Sequence, residues 1–441
     1  KLTDIQLKKV NDYFKEVEYP VLTPLALDPG HPFQHISILS LNVAMVIKDK
    51  KGSEKFARLK EQDTLARLVP IKRSSGASRK DGTIPHHHYF VWLEQVIMAN
   101  LASLFPGLEV VAAYPFRIIR DGDVELQEIE ADDLLETMEQ NIRKRRFASV
   151  VQVEIDESMP DHIRALLIEN LEVNPNDVYV LSSPLGLSSL WQVYNNVERH
   201  DLKFPIYQPV IPRVFQNGTL PGDIFEVIKH RNILLHHPYD SFHPVIDFLR
   251  AAARDPNVLA IKQTVYRVGQ NAPVVEALLE AIERGKQVAV LVELKARFDE
   301  ESNIGWARML EQEGVHVIYG LVGLKVHCKV AMVVRKEGEG IRRYLHLGTG
   351  NYNSVTSQIY EDMGLFTCDE ALASDITDLF NHLTGYSTKH DFRKLLVAPF
   401  NLRAGLERLI RREIGHAQSG RKAHLIFKVN AIVDQSFIEL L

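Results

Sequence analysis

The stretch Val326-His327-Cys328-Lys329-Val330-Ala331-Met332-Val333-Val334 combines two basic side chains with an apolar run. On a strand, residues two apart share a face. That predicts His327 and Lys329 side by side, with Val326, Cys328, Val330 and Met332 on the opposite, buried face. An imidazole next to an ammonium suits phosphate chemistry. The lysine supplies fixed positive charge, and a neutral histidine, ordinarily titrating near pH ~6.5, is a nucleophile around neutrality. An isolated H-x-K is more often a plain polar strand face. Gly348-Thr349-Gly350-Asn351 follows the next apolar run, however, and such a loop lets backbone N–H groups and short side chains approach an anion.

Regular elements are needed to hold these residues. From about residue 230 strands and helices alternate. Val258–Thr264, Gln287–Leu294, Val315–Tyr319, Val326–Val334 and Arg342–Leu347 read as strands. Pro273 opens a helix stopped by Gly285, and Ser302 opens another stopped by Gly314. This alternation predicts βαβ units and a mostly parallel sheet. The region before it mixes helices at 1–18, 131–144 and 160–171 with strands at 37–47 and 109–119. In the third helix Ile163, Leu166, Leu167 and Leu171 form one apolar stripe. Prolines 205, 209 and 212 mark a change of organisation. Beyond 395 a helix near 402–415 and a strand at 423–428 begin another unit.

Composition narrows the partners. Of 441 residues, 45% are hydrophobic and 25% charged, ordinary for a folded multidomain chain. Fifty-two basic against 57 acidic side chains leave a net charge of −5, so no general polycation for nucleic acid is present. Two cysteines, Cys328 and Cys368, make no disulfide framework, which points to a reducing compartment. No apolar run approaches the ~20 residues that cross a bilayer, so integral membrane contact is not expected. The first residue is Lys1, and the last residues stop inside an apolar pattern, so a piece of a longer protein is expected.

Several longer blocks decide the family. Tyr19 to Phe33 (YPVLTPLALDPGHPF), Ile261 to Arg267 (IKQTVYR), Val292 to Glu300 (VELKARFDE), Gly323 to His327 (GLKVH) and His346 to Asn351 (HLGTGN) occur in this order. Together they resemble polyphosphate kinases of the histidine-phosphorylating type over essentially the whole chain. H-x-K with the glycine loop is also similar to the half-site of the phospholipase D superfamily, but Val334 stands where that pattern carries Asp. The resemblance implies an α/β and α+β multidomain fold. It would comprise a mixed α+β domain at 1–212, a phospholipase D-like α/β catalytic domain at 213–394, and the start of a second catalytic domain at 395–441.

By the same resemblance His327 takes the γ-phosphate of ATP as a phosphohistidine and passes it reversibly to inorganic polyphosphate. Arg267 and Arg297 match arginines of the family's Mg²⁺–phosphate site. A guanidinium cannot ligate a cation, so any Mg²⁺ would reach them through phosphate oxygens, the arginines holding the transferring group. A plain surface arginine paired with Glu293 or Asp299 is the alternative. Tyr360 matches a nucleotide-contacting tyrosine, though a buried strand aromatic explains it almost as well. Lys325, Lys329 and Asn351 are candidate phosphate neighbours. His86-His87-His88 reads as a solvated loop, and Arg143-Lys144-Arg145-Arg146 as a solvated helix end. The expected setting is cytoplasmic, with peripheral contact to the inner membrane face left open, and a homo-oligomer. Two other functions compete: a phospholipase D-like phosphodiesterase or nuclease, and an incomplete chain that only binds polyphosphate. The family's second histidine and part of its nucleotide site lie in domains absent here, so little chain elongation is expected of these 441 residues alone.

Overall fold

The computed structural model describes all residues except 1, 28–32, 34, 63, 72–87, 123–133, 146, 217–223, 270–271, 297–298, 322, 386 and 389–390. It divides into two compact units, Lys1–Leu126 with Glu139–Ile206, and Gln127–Met138 with Tyr207–Leu441.

The first unit is built on a six-stranded sheet. In chain order its strands are β1 (Pro24–Ala26), β2 (Leu41–Lys48), β3 (Glu54–Lys60), β6 (Glu109–Arg120), β7 (Val150–Asp156) and β8 (Val178–Leu181), after counting the separate hairpin β4 (Leu68–Ile71) and β5 (Tyr89–Trp92). The spatial order is β1-β3-β2-β6-β7-β8. Strand β2 is apolar on both faces because both are covered. Val43, Met45 and Ile47 join Val10, Phe14, Val96 and Ile97 on one side. Ala44 and Val46 join Phe116, Ile155, Ile163 and Leu167 on the other. The apolar stripe predicted at 160–171 is the helix Asp161–Leu171, whose Ile163, Leu167 and Leu171 are buried. The predicted helix at 1–18 is Asp4–Tyr13 continued by a π-helical turn, Phe14–Glu18, and Thr3 caps it with Gln6 in a reciprocal capping box.

The second unit holds seven strands: β9 (Ile233–His237), β10 (Val258–Val265), β11 (Gln287–Val292), β12 (His316–Ile318), β13 (Lys329–Glu337), β14 (Gly340–Gly348) and β15 (Asp362–Thr367). Their order is β12-β11-β10-β13-β14-β15-β9. The α/β character predicted from sequence is present, but the sheet is mixed rather than mostly parallel. Strands β10, β11 and β12 are parallel, joined through helices Pro273–Glu283 and Glu300–Gln312. The pairings of β10 with β13, β13 with β14, β14 with β15 and β15 with β9 are antiparallel. The reason is connection length. Parallel neighbours need a long crossover, whereas β13 turns into β14 through Gly338 and Glu339 alone, with Gly338 at φ 58°. A second correction concerns 423–428, which forms no strand; among the described residues no neighbouring strand pairs with it. The helix predicted near 402–415 is Leu402–Gln418.

Strand β15 crosses a tight place. A Cβ at Gly364 would stand 2.7 Å from Nε2 of the buried His346 and 3.5 Å from Nε2 of His237. We predict that Gly364→Ala destabilises this unit by about 1–3 kcal/mol through overpacking, read as a lower urea midpoint of its unfolding transition. An unchanged midpoint would show that the two imidazoles yield freely.

Candidate active site

Sheet topology delivers the chemistry to one edge. Strands β10 and β11 run parallel and end at Val265 and Val292, so Tyr266-Arg267 and Glu293 leave the sheet together, with Glu293 N–H donating to Val265 O at 3.0 Å. Strand β13 runs the opposite way and begins at Lys329, which places His327 at the same edge. Strand β14 ends there as well, with Gly348 opposite Lys329, so Gly348–Asn351 follows at that edge. Ligands of open α/β sheets bind at the C-terminal ends of parallel strands, and this is such an end.

The arrangement differs from the expected strand face. His327 lies before the strand and is exposed, while Lys329 is only 5% exposed. Val326, Val330 and Met332 are buried in one cluster with Cys328 partly buried, as the alternation predicts. What brings His327 and Lys329 together is a ring. Tyr266, 8% exposed, has Lys329 Nζ 5.2 Å, Arg267 Cζ 5.3 Å and Lys325 Nζ 5.7 Å from its centroid. The His327 ring stands 5.6 Å away, tilted 69° to it. Each ring–cation contact contributes about 0.5–2 kcal/mol. Two unit charges about 6 Å apart repel by about 3 kcal/mol at an effective dielectric of about 20. The ring therefore offsets part of the crowding, and the remainder favours an arriving anion.

Buried hydrogen bonds hold the irregular backbone of this edge. Glu293, 1% exposed, accepts Val326 N–H at 2.5 Å and Lys295 N–H at 2.8 Å. It does not pair with Arg267; that role falls to Asp299, 3.2 Å from Arg267 Nε. Thr264 Oγ1 donates to Cys328 O and accepts Val330 N–H, both at 3.0 Å. Lys329 Nζ donates to His327 O at 2.6 Å. Arg267 itself has φ 54°, the left-handed region, which costs a side-chain-bearing residue about 1–2 kcal/mol. Asn353 Nδ2 grips its carbonyl at 2.8 Å, and Trp306 Nε1 grips that of Gly269 at 2.8 Å. Backbone strain fixed from outside is a common property of functional sites.

Titration follows from the crowding. Although His327 as a whole is exposed, partial burial of its ring comes first, and the charges of Lys329, Lys325 and Arg267 follow, in pushing the imidazole below its usual range, which favours its neutral form. Burial drives Lys329 down to about 8, with Asp362 and Cys328 opposing and the neighbouring cations assisting. Burial lifts the Cys328 thiol to about 11, which leaves it inert as a nucleophile.

The remaining candidates divide. In the glycine loop, Thr349 Oγ1 donates to Asp362 Oδ1 at 2.8 Å and accepts Met363 N–H at 2.9 Å. Asn351 Oδ1 is buried without a hydrogen-bond partner among the described residues. A Cβ at Gly350 would stand 2.5 Å from Asp362 Oδ2, so the loop admits only glycine there. Tyr360 is 61% exposed and follows the turn Thr356–Gln358, so it is neither buried nor on a strand. Arg297, His86, His87 and Arg146 lie outside the described residues. His237 is buried, with Nδ1 2.8 Å from Asp240 O, while the His236 ring meets Tyr239 edge to face at 4.9 Å. Sequence reasoning missed Tyr266, Asn353 and Trp306 as site-builders. The only available signal was that Tyr266 sits inside the Val-Tyr-Arg block.

The cluster is a cation cluster, and its donor set does not fit a metal ion held by protein alone. Among the described residues no group of three or more His, Cys, Asp or Glu could hold one. Nor is any helix among them long and apolar enough to cross a membrane.

This architecture has close relatives. Residues 6–193 match the polyphosphate kinase middle domain, 223–389 its C-terminal domain 1 and 395–441 its C-terminal domain 2. Polyphosphate kinase 1 of Chlorobaculum tepidum is 49% identical over 433 residues, 98% of this chain and 61% of that protein. Polyphosphate kinase of Mycolicibacterium gilvum is 47% identical over 442 residues, 100% of this chain and 60% of that protein. The crystal structure of polyphosphate kinase from Porphyromonas gingivalis aligns with a TM-score of 0.81 at 26% identity, covering 100% of this chain and 63% of that one. The chain thus spans about three fifths of the length of these relatives. With three consecutive domain matches and near-half identity along its whole length, it belongs to the polyphosphate kinase family.

Proposed function

We propose that the whole protein transfers the γ-phosphate of ATP reversibly to inorganic polyphosphate through a phosphohistidine at His327. The observation that carries this is the imidazole of His327 grouped with Arg267, Lys325 and Lys329 around one ring. A ring nitrogen of His327 attacks the γ-phosphorus in line, the bond to the β-phosphate oxygen breaks, and ADP leaves. Arg267, Lys325 and Lys329 hold the equatorial oxygens, where charge accumulates, with Arg297 and Asn351 assigned to the same task. A terminal oxygen of polyphosphate then attacks the phosphoryl group, the N–P bond breaks, and the polymer is one unit longer. Mg²⁺ enters as part of the nucleotide substrate, bound to its phosphate oxygens. Tyr360, exposed as a contact residue must be, is assigned to the nucleotide. Domain limits at 212 and 394, a cytoplasmic setting and assembly into a homo-oligomer belong to the same reading.

Transfer to water, the phosphodiesterase alternative, separates cleanly. Phosphoprotein made from γ-labelled ATP should give labelled ATP when chased with ADP and labelled polymer when chased with polyphosphate. Release mainly as free phosphate under both chases would contradict the kinase reading.

The pH profile of kcat/KM for MgATP should be bell-shaped. His327 must be unprotonated, and its pKa is depressed, so the acid limb lies below pH 6.5. Lys329 must be protonated, so the rate falls as pH rises through about 8. Lys329→Met should abolish that alkaline limb, move the acid limb up toward 6.5 and lower kcat by about 10²-fold. An acid limb above 6.5 in the unaltered protein would count against a neutral His327 nucleophile.

A further inference from the structure

Tyr266 occupies a position that core packing alone does not explain. It stands directly before Arg267 at the end of β10, and its ring is the common neighbour of Arg267, Lys325, Lys329 and the His327 imidazole. Like charges brought together without an anion drive one another outward. Lys325 is exposed, and so has free solvent to escape into. A carboxylate at the centre would gather the cations more strongly, but it would also neutralise them and repel an incoming phosphate. An aromatic face attracts each cation through its quadrupole and carries no net charge. It can collect positive groups without itself neutralising them, the carboxylate partner of Arg267 being Asp299 at 3.2 Å. The edge-to-face contact, with an interplanar angle of 69°, also restricts how the His327 ring turns.

We infer that Tyr266 is a positioning residue for phosphoryl transfer: its ring assembles Arg267, Lys325 and Lys329 before the substrate arrives and sets the attitude of the His327 imidazole. This rests on the reading of His327 as the phosphoryl carrier. The charged groups acting on His327 are Lys329, Lys325 and Arg267; Asp362 acts in turn on Lys329, and Asp299 is paired with Arg267 at 3.2 Å. The ring's effect on the titration of His327 therefore runs through the placement of those three cations, apart from its direct contact with the imidazole. If they disperse, His327 loses part of what depresses it and titrates closer to 6.5.

The test compares Tyr266→Phe, Tyr266→Leu and His327→Ala in the whole protein. It reads the single-turnover rate of labelling by γ-labelled ATP, the KM for MgATP, and the His327 titration by NMR of histidine-labelled protein. The His327 signal is identified by its loss in His327→Ala. Tyr266→Phe keeps the quadrupole and should stay within about threefold of the unaltered rate. Tyr266→Leu should lose about tenfold or more in rate with a smaller change in KM, and its His327 should titrate higher. If the leucine variant does not fold, Tyr266→Met, of similar volume and without a quadrupole, replaces it. A leucine variant unchanged in rate and titration overturns the inference. So does a phenylalanine variant as impaired as the leucine one, since the hydroxyl and not the ring would then matter. Labelling that persists in His327→Ala overturns the carrier reading itself, which a failure confined to the Tyr266 variants leaves intact.

Discussion

Mutual repulsion of like charges is the constraint around which this edge of the sheet is organised. Arg267, Lys325 and Lys329 share one aromatic neighbour, and Lys329 is buried deeply enough that its pKa falls to about 8. Asp299 pairs with Arg267, the Tyr266 ring faces all three cations, and hydrogen bonds hold the backbone beneath them. The buried carboxylate of Glu293 grips Val326 N–H, Thr264 bridges Cys328 and Val330, and Asn353 locks the carbonyl of the strained Arg267.

The mixed sheet is what makes this possible. Parallel strands alone would present only strand ends of one kind at the edge. Here β10 and β11 end where β13 begins and β14 ends. Residues some 60 positions apart in sequence, such as Tyr266 and His327, are thereby placed ring against ring. Behind them the sheet interior holds a buried imidazole. His346, pushed down to about 3 chiefly by burial, contacts the Tyr352 hydroxyl at 3.0 Å just after the glycine loop. Gly364 leaves room for its ring.

Much of this was legible in the residues. Strand and helix alternation located five of the second unit's seven strands to within a few residues, without β9 and β15, and pattern alone put Val326, Val330 and Met332 in one cluster, although β13 is buried on both faces from Lys329 to Val333. The H-x-K and glycine-loop segments do meet at one edge. Strand direction was not legible, because a long apolar run reads alike in parallel and antiparallel neighbours, and only the short Gly338-Glu339 connection hinted at a hairpin. Of the two carboxylates offered as alternative arginine partners, Asp299 does pair with Arg267, whereas the capture by Glu293 of a backbone N–H 33 residues away was not legible because it depends on the fold. Tyr266 was hidden because an aromatic at a strand end is ordinary core material until the cations around it are placed. The segment 423–428 has strand composition without a strand neighbour among the described residues, and composition cannot supply one.

The central claim is that His327, held neutral among cations, carries the phosphoryl group. The most direct measurement is to mix the whole protein with MgATP, quench in alkali after a single turnover, and locate the added phosphoryl group by tandem mass spectrometry. The account predicts it on His327, within the peptide containing Lys325 to Lys329. A phosphoryl group found reproducibly on another residue, or none on a folded protein that nevertheless extends polyphosphate, would contradict it.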